Sequence, residues 1–167
     1  MNRITLILIG LLMTFISYGQ IIEINSNGLF INSNKITSQT KTTYIQSILG
    51  APDRKFLKVN TIWTYDNMGV MIYINPENDK LESISLDFKK ENFDFSPAST
   101  FSGELLIHDF NISRNTPIVS FMKIPELTFV NTPFQVYSAT TTYLTLTLQY
   151  LDDVTKLETI GISFNDN

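Results

Sequence analysis

The chain has 167 residues, a formal net charge of −4 and no cysteine. The lack of cysteine excludes disulfides and a cysteine-borne lipid anchor, and no basic cluster exceeds Lys89-Lys90, so neither nucleic acid nor an anionic membrane is an expected partner. An apolar content of 43% with 12% aromatic residues predicts a packed core rather than a disordered chain.

The N-terminus has the pattern of a signal peptide. Arg3 precedes an apolar run from Ile4 to Ile16, and Ser17 and Gly19 supply small residues at positions −3 and −1 of a cleavage site. We therefore expect residues 1–19 to be removed before Gln20, which predicts a secreted or periplasmic protein with no stable membrane anchor after cleavage. The alternative is an uncleaved anchor helix.

The first predicted elements are short strands and a helix. Alternating apolar residues over 21–31 predict two edge strands around a turn at Asn25–Gly28, where Asn-Gly tolerates positive φ. An apolar stripe predicts a helix over Thr40–Leu49, with Ser38 or Thr40 as its N-cap. Gly50 and the proline that follows are typical of a helix end.

The rest of the chain predicts six further strands and a second helix. The helix is expected to begin with Thr116 as N-cap and Pro117 at the first helical position. Period-two alternation, broken by Asn-, Gly- and Pro-containing turns, predicts the strands Thr61–Asp66, Val70–Ile74, Leu81–Phe88, Phe134–Thr140, Thr142–Leu151 and Leu157–Phe164.

The chain also matches itself at an offset of 76 residues. Leu29–Ile31 falls on Leu105–Ile107, and the segment DKLESISLDF falls on TKLETIGISF. This pattern predicts a tandem duplication, with repeat units at 20–91 and 104–167 and a linker at 92–103 whose phenylalanines pack. The alternative is two unrelated β-rich halves that end in similar strands.

These elements define the predicted fold. We expect an α+β protein made of two tandem units, each with the order β-β-α-β-β-β and each with one helix packed on a small antiparallel sheet.

One group of residues is a candidate protein-binding site. Aspartate and arginine follow the first predicted helix, and tryptophan and tyrosines occupy the next two strands, residue types that are enriched at recognition surfaces. The candidates are Asp53, Arg54, Trp63, Tyr65 and Tyr73. The alternative for the aromatic residues is the core face beneath the first helix.

The sequence contains no pattern that predicts a catalytic, cofactor or metal site. His108, the single histidine, precedes Asp109 in a predicted strand, where adjacent side chains point to opposite faces and cannot form an acid/base pair easily. Asp79 and the pair Asp152-Asp153 lie in predicted turns without the spacing of a calcium-binding loop.

Residues 36–88 resemble the SmpA/OmlA (BamE-like) envelope domains, in which a helix, an LG-x-P turn and a W-x-Y strand precede an antiparallel sheet. The residues that carry the resemblance are Leu49, Gly50, Pro52, Trp63 and Tyr65. Paired units of this shape also resemble the secreted β-lactamase-inhibitor proteins. The second half lacks the motif, and the lipid-bearing cysteine of the outer-membrane assembly lipoproteins is absent.

A further resemblance is to short bacterial secreted proteins of families of unknown function, which implies no activity. Together these features predict a non-enzymatic secreted or periplasmic interaction or structural module with an unknown protein partner. An inhibitor or immunity-type partner of a secreted enzyme is one alternative. A small ligand-binding protein or hydrolase with a site between the repeats is another.

Overall fold

The computed structural model describes residues 20–165, so the predicted signal peptide lies outside the described residues. The helices are α1 (Thr42–Leu49) and α2 (Ile118–Phe121), and a 3₁₀ turn covers Pro133–Gln135. The strands are β1 (Ile21–Asn25), β2 (Gly28–Ile31), β3 (Asn34–Ile36), β4 (Arg54–Leu57), β5 (Thr61–Tyr65), β6 (Val70–Asn75), β7 (Lys80–Asp87), β8 (Glu104–Ile107), β9 (Phe110–Ile112), β10 (Val130–Thr132), β11 (Val136–Thr140), β12 (Leu144–Gln149) and β13 (Thr159–Phe164).

The strands form two sheets. The small sheet has the order β3-β2-β1-β8-β9, and the large sheet has the order β10-β11-β12-β13-β7-β6-β5-β4. All neighbours are antiparallel except β1 and β8, which are parallel. One hydrophobic cluster joins apolar residues of both sheets and both helices, so the two halves share a single core.

The predicted fold class is wrong. The chain is mostly β, and its helices have only eight and four residues within the described range. The two units do not carry separate sheets, because the closing strands β7 and β13 pair with each other and merge both halves into one large sheet. Strand β1, expected at an edge, instead lies at the centre of the small sheet between β2 and β8.

The element order nevertheless recurs at the 76-residue offset. Strands β2 and β3 correspond residue for residue to β8 and β9, and the turns that follow them have the same hydrogen bonds. Thr37 N–H donates to Thr40 Oγ1 at 2.9 Å, and Ser113 N–H donates to Thr116 Oγ1 at 2.9 Å. The same pair of strands and the same turn thus occur twice in the chain, and the duplication itself stays a prediction.

These turns also correct the predicted helix caps. Helix α1 begins after Lys41 and α2 begins after Pro117, and neither has a side-chain cap hydrogen bond. The hydroxyls of Thr40 and Thr116 accept from residues that precede them and so stabilise the entry turn instead. Among the described residues, no helix is long and apolar enough to cross a membrane.

Candidate functional site

The large sheet has an inner face in the core and an outer face on the opposite side. Trp63 and Tyr65 lie on the inner face, are 6% and 1% exposed, and belong to the hydrophobic cluster. The Tyr65 hydroxyl donates to the carbonyl of Gly50 at 3.3 Å, and burial raises the pKa of that hydroxyl. These two candidate residues therefore occupy the core position that the sequence left as an alternative.

Arg54 lies on the outer face of the edge strand β4 and holds the linker. Its Nε donates to Asp66 Oδ2 at 2.8 Å, and two further nitrogens donate to the carbonyls of Asp94 and Ser96 at 2.5 and 2.6 Å. Asp66 Oδ1 in turn accepts from the backbone N–H of Ala98 at 2.8 Å. The Arg54 hydrogen bond lowers the pKa of the Asp66 carboxyl. We call Arg54 and Asp66 the linker clamp.

Asp53 and a neighbouring threonine extend the attachment of the linker. The Asp53 carboxylate accepts from the backbone N–H of Asp66 at 2.7 Å, and Thr64 Oγ1 donates to the carbonyl of Phe95 at 2.8 Å. The charged segment predicted as a recognition feature is thus engaged in fixing residues 94–98 against the sheet.

Tyr73 lies on the outer face of β6 and lines a pocket of about 300 Å³. The pocket floor comes from β6, β7 and β13, and its far wall comes from Gln149 and Leu151 of the second half. Phe93 and Phe95 of the linker form the near wall, with their rings stacked at 5.6 Å between centroids. This outer-face pocket therefore lies between the two halves and beneath the linker.

The most unusual group in the outer-face pocket is the carboxylate of Asp87. This residue is only 2% exposed, and its Oδ1 accepts from Ser85 Oγ at 3.2 Å. Its Oδ2 is buried without a hydrogen-bond partner among the described residues. The pKa of Asp87 is raised to about 6, chiefly by burial and also by the charge of Glu91, which lines the same pocket. The same burial, and the nearby Asp87, raise the pKa of Tyr73.

The nearest basic residue in sequence does not neutralise Asp87. Lys89 instead donates to Glu158 Oε1 at 2.8 Å and to Asp152 Oδ2 at 2.9 Å. A buried carboxylate without a cationic partner is costly, because no donor in the described part of the chain compensates the charge on its free oxygen.

Sequence reasoning placed Tyr73 in the candidate site but missed Asp87. In the segment Ser83–Phe88, Asp87 alternates with buried leucine and phenylalanine and reads as a solvated residue on a half-buried strand. The sequence does show one difference at this position, because the second half has the uncharged Ser163 where the first half has Asp87.

The remaining titratable candidates lie elsewhere. His108 was predicted in a strand, but it occupies the turn between β8 and β9 with a φ of 46°, and Asp109 follows with a φ of 67°. Both oxygens of the Asp79 carboxylate accept from Thr42 Oγ1 at 2.9 Å. Within residues 20–165, no group of three or more potential metal ligands lies together.

A family model described as a domain of unknown function (DUF7738) matches residues 21–122, which include β1 to β9, both helices and the linker. No curated protein and no solved structure matches the chain. The resemblance to SmpA/OmlA domains stays a prediction, because none of these comparisons bears on it. Since the match covers more than half of the chain, the protein belongs to the DUF7738 family, whose function is unknown.

Proposed function

We propose that this protein is an exported, non-enzymatic interaction module that receives a lysine or arginine side chain of a partner protein in its outer-face pocket. One observation carries the proposal. The carboxylate of Asp87 is 2% exposed, has an oxygen without a hydrogen-bond partner among the described residues, and lines a pocket of about 300 Å³.

The electrostatics of the pocket favour a cation. Asp87 and Glu91 both line it, and no lysine, arginine or histidine does. An ammonium or guanidinium group next to Asp87 would satisfy its free oxygen and remove the cost of a buried unpaired charge. An anionic ligand would instead add a third negative charge to the same small volume.

The apolar lining suits the stem of a long basic side chain. Met71 lies on the floor, and Phe93 and Phe95 form the near wall. Lysine and arginine bury their methylene groups along such surfaces. The Phe95 ring already has Lys58 Nζ at 4.4 Å from its centroid, so the apolar lining matches the stem of the proposed ligand and Asp87 matches its charge.

The rim favours a protein partner over a free small molecule. Phe93 is 61% exposed and Leu151 is 41% exposed, so apolar surface continues outward from the pocket. Exposed apolar groups around a buried anchor position are typical of protein interfaces. The linker clamp holds the aromatic wall in place before binding, which lowers the entropic cost of association.

The test is a calorimetric titration with two matched ligands. We expect N-acetyl-lysinamide to bind at least about tenfold more tightly than N-acetyl-norleucinamide, which lacks the ammonium group; tenfold corresponds to about 1.4 kcal/mol. Asp87→Asn should abolish the difference, and the exposed control Glu77→Gln should retain it. Equal binding of the two ligands to the unmodified protein would contradict the proposal.

The partner itself can be sought with the same variants. A pull-down from the envelope fraction and the culture medium, followed by mass spectrometry, should recover a protein with the unmodified bait and with Glu77→Gln but not with Asp87→Asn. Recovery of the same protein by all three baits would place its binding site elsewhere on the molecule.

A hydrolase with its site between the halves is a second candidate, favoured by the two carboxylates in one pocket. A carboxyl group with a pKa of about 6 has the property of a general acid, and glycoside hydrolysis uses such a pair. Turnover of p-nitrophenyl glycosides that Asp87→Asn and Glu91→Gln each abolish would support this candidate. No turnover, together with lysine-selective binding, would support the interaction module.

A further inference from the structure

The linker inserts Phe101 beside Phe88, into a site formed mainly by residues of the first half. The Phe101 ring packs edge-on against Phe88 with 5.5 Å between centroids, and its backbone N–H donates to the carbonyl of Asp87 at 2.6 Å. Ser102 N–H donates to the carbonyl of Met68 at 3.3 Å, and a Cβ at Gly103 would lie 2.7 Å from the ring. We call this position the Phe101 site.

The residues that form the Phe101 site have counterparts at the 76-residue offset. Phe88 corresponds to Phe164, Met68 to Leu144 and Gly103 to Asn27. All three counterparts line one cleft of about 260 Å³ between the β2–β3 hairpin and the end of β13, together with Leu29 and Ile36. We call it the Phe164 cleft.

Among residues 20–165, the sequence position equivalent to Phe101 supplies no aromatic ring to the Phe164 cleft. The residue at the equivalent sequence position is Asn25, which ends β1 and pairs with Gly28. The segment that would supply an insert is therefore used as the central strand of the small sheet. The exposure of the two phenylalanines agrees with this difference, because Phe88 is 6% exposed whereas Phe164 is only partly buried.

We propose that the Phe164 cleft binds an aromatic side chain presented by an extended segment of a partner protein. The ligand class is inferred from the Phe101 site, because an aromatic ring of the linker fills the equivalent position beside Phe88. Leu29, Ile36 and Leu144 supply the apolar walls, and Tyr143, which is 53% exposed, lines the mouth. The proposal does not depend on the outer-face pocket, since the two sites share no lining residue.

The linker sequence itself provides a probe. The peptide acetyl-Ser-Thr-Phe-Ser-Gly-amide copies residues 99–103, and its control replaces the phenylalanine with alanine. In methyl-detected NMR of the purified protein, the phenylalanine peptide should shift the methyl signals of Leu29, Ile36 and Leu144. The alanine peptide should leave them unchanged. Equal shifts with both peptides, or none with either, would overturn the proposal.

Two surface variants locate the binding. Asn27 is an exposed turn residue at the cleft, and its backbone N–H bonds to Asn25 Oδ1, so Asn27→Trp can fill the cleft without breaking that bond. This variant should lose the peptide-induced shifts. Asn131→Trp, at an exposed position of β10, should keep them. Shifts that persist in Asn27→Trp would assign the peptide to another surface.

A third variant tests the equivalence of the two sites. Phe101→Ala should open the Phe101 site, so the peptide should then bind at two positions and raise the melting temperature of the variant. Binding to Phe101→Ala alone would show that the Phe164 cleft is not an equivalent site. If sedimentation shows a dimer that Asn27→Trp abolishes, the occupant of the Phe164 cleft is a second copy of this chain and not a partner protein.

Discussion

Ser85 of β7 lies directly opposite Gly161 of β13, and these two residues occupy the same position of the 76-residue offset. The large sheet is therefore arranged about this pair, with β6, β5 and β4 following on one side and β12, β11 and β10 on the other. In the small sheet, Glu23 pairs with both Phe30 and Leu106, which are also equivalent. The strand pairing is therefore that of two halves related by an approximate two-fold axis. The axis would pass through the Ser85–Gly161 pair in the large sheet and through the centre of β1 in the small sheet.

Gly161 occupies the position at which the first half has Ser85, so we expect this position to tolerate a side chain. A Cβ at Gly161 would lie 3.7 Å from Thr147 Cβ, an ordinary contact. We expect Gly161→Ala to change the free energy of unfolding by less than about 1 kcal/mol. The expected direction is an increase in stability, because glycine weakens the interior of a strand.

Gly69→Ala is the matched opposite case. Gly69 has a φ of 69°, and a Cβ there would lie 2.1 Å from the backbone nitrogen of Phe101. This substitution should destabilise by more than about 2 kcal/mol, because it combines backbone strain with overlap. Urea unfolding of both variants measures the contrast. Equal midpoints would show that the approach of residue 101 to Gly69 is not maintained in solution.

The strands were the most predictable part of the fold. Val70–Asn75 and Lys80–Asp87 alternate with period two and end at turn residues, and the Asn25–Gly28 turn has the residues that positive φ requires. Strand β4 was missed, because Arg54 and Lys55 read as a solvated charged segment although charges are common on edge strands. Local patterns specify each strand by itself.

Long-range pairing was not predictable in the same way. Nothing in the local pattern of Leu81–Phe88 indicates that it pairs with Leu157–Phe164 rather than closing a separate sheet, yet that pairing decides the architecture. The candidate site was missed for a related reason. Tyr73 was identified by residue type, but Asp87 shares its pocket with Phe93 and Phe95 of the linker, and no local period encodes that arrangement.

The buried carboxyl of Asp87 predicts a particular dependence of stability on pH. Its pKa is raised from an ordinary value of 3.8 to about 6, chiefly by burial. The folded state therefore binds more protons than the unfolded state between these values. The contribution of this carboxyl to stability is fully present below about pH 4 and is lost as pH rises through about 6.

Asp87→Asn should remove this loss. At pH 8 we expect the variant to be more stable than the unmodified protein by about 1–3 kcal/mol, with the difference shrinking toward pH 4. The Arg54–Asp66 pair stays in both proteins, so its effect cancels, and the difference measures Asp87 together with its interactions with Glu91 and Tyr73. Urea midpoints between pH 4 and 8 measure the difference. If the two proteins differ in stability by the same amount at every pH in that range, the pKa of Asp87 is not raised in the folded state.

The linker clamp should hold residues 92–98 in place against the sheet. Asp66→Asn keeps the shape of the side chain but removes the charge that Arg54 contacts. Since Arg54 is partly exposed, we expect a modest loss of about 1–2 kcal/mol. Chymotrypsin should then cleave faster after Phe93 and Phe95, which are held over the sheet. Asp109→Asn, in a turn remote from the linker, is the control and should leave the cleavage rate unchanged.

Lys89 joins the closing strand of the first half to the second half. It donates to Glu158, whose side chain is 6% exposed, and to Asp152, whose side chain is 78% exposed. These hydrogen bonds raise the pKa of Lys89. Glu158 Oε2 already has no hydrogen-bond partner among the described residues, so removal of Lys89 would leave a buried carboxylate without its cation.

We expect Lys89→Met to lower the urea midpoint at neutral pH, because it leaves the buried Glu158 carboxylate without its cation. Glu158→Gln in the Lys89→Met background should recover part of the stability, because it removes the unpaired charge. Lys90→Met changes the exposed neighbouring lysine and should leave the midpoint unchanged. If both lysine variants unfold at the same midpoint as the unmodified protein, the Lys89–Glu158 pair does not hold the two halves together.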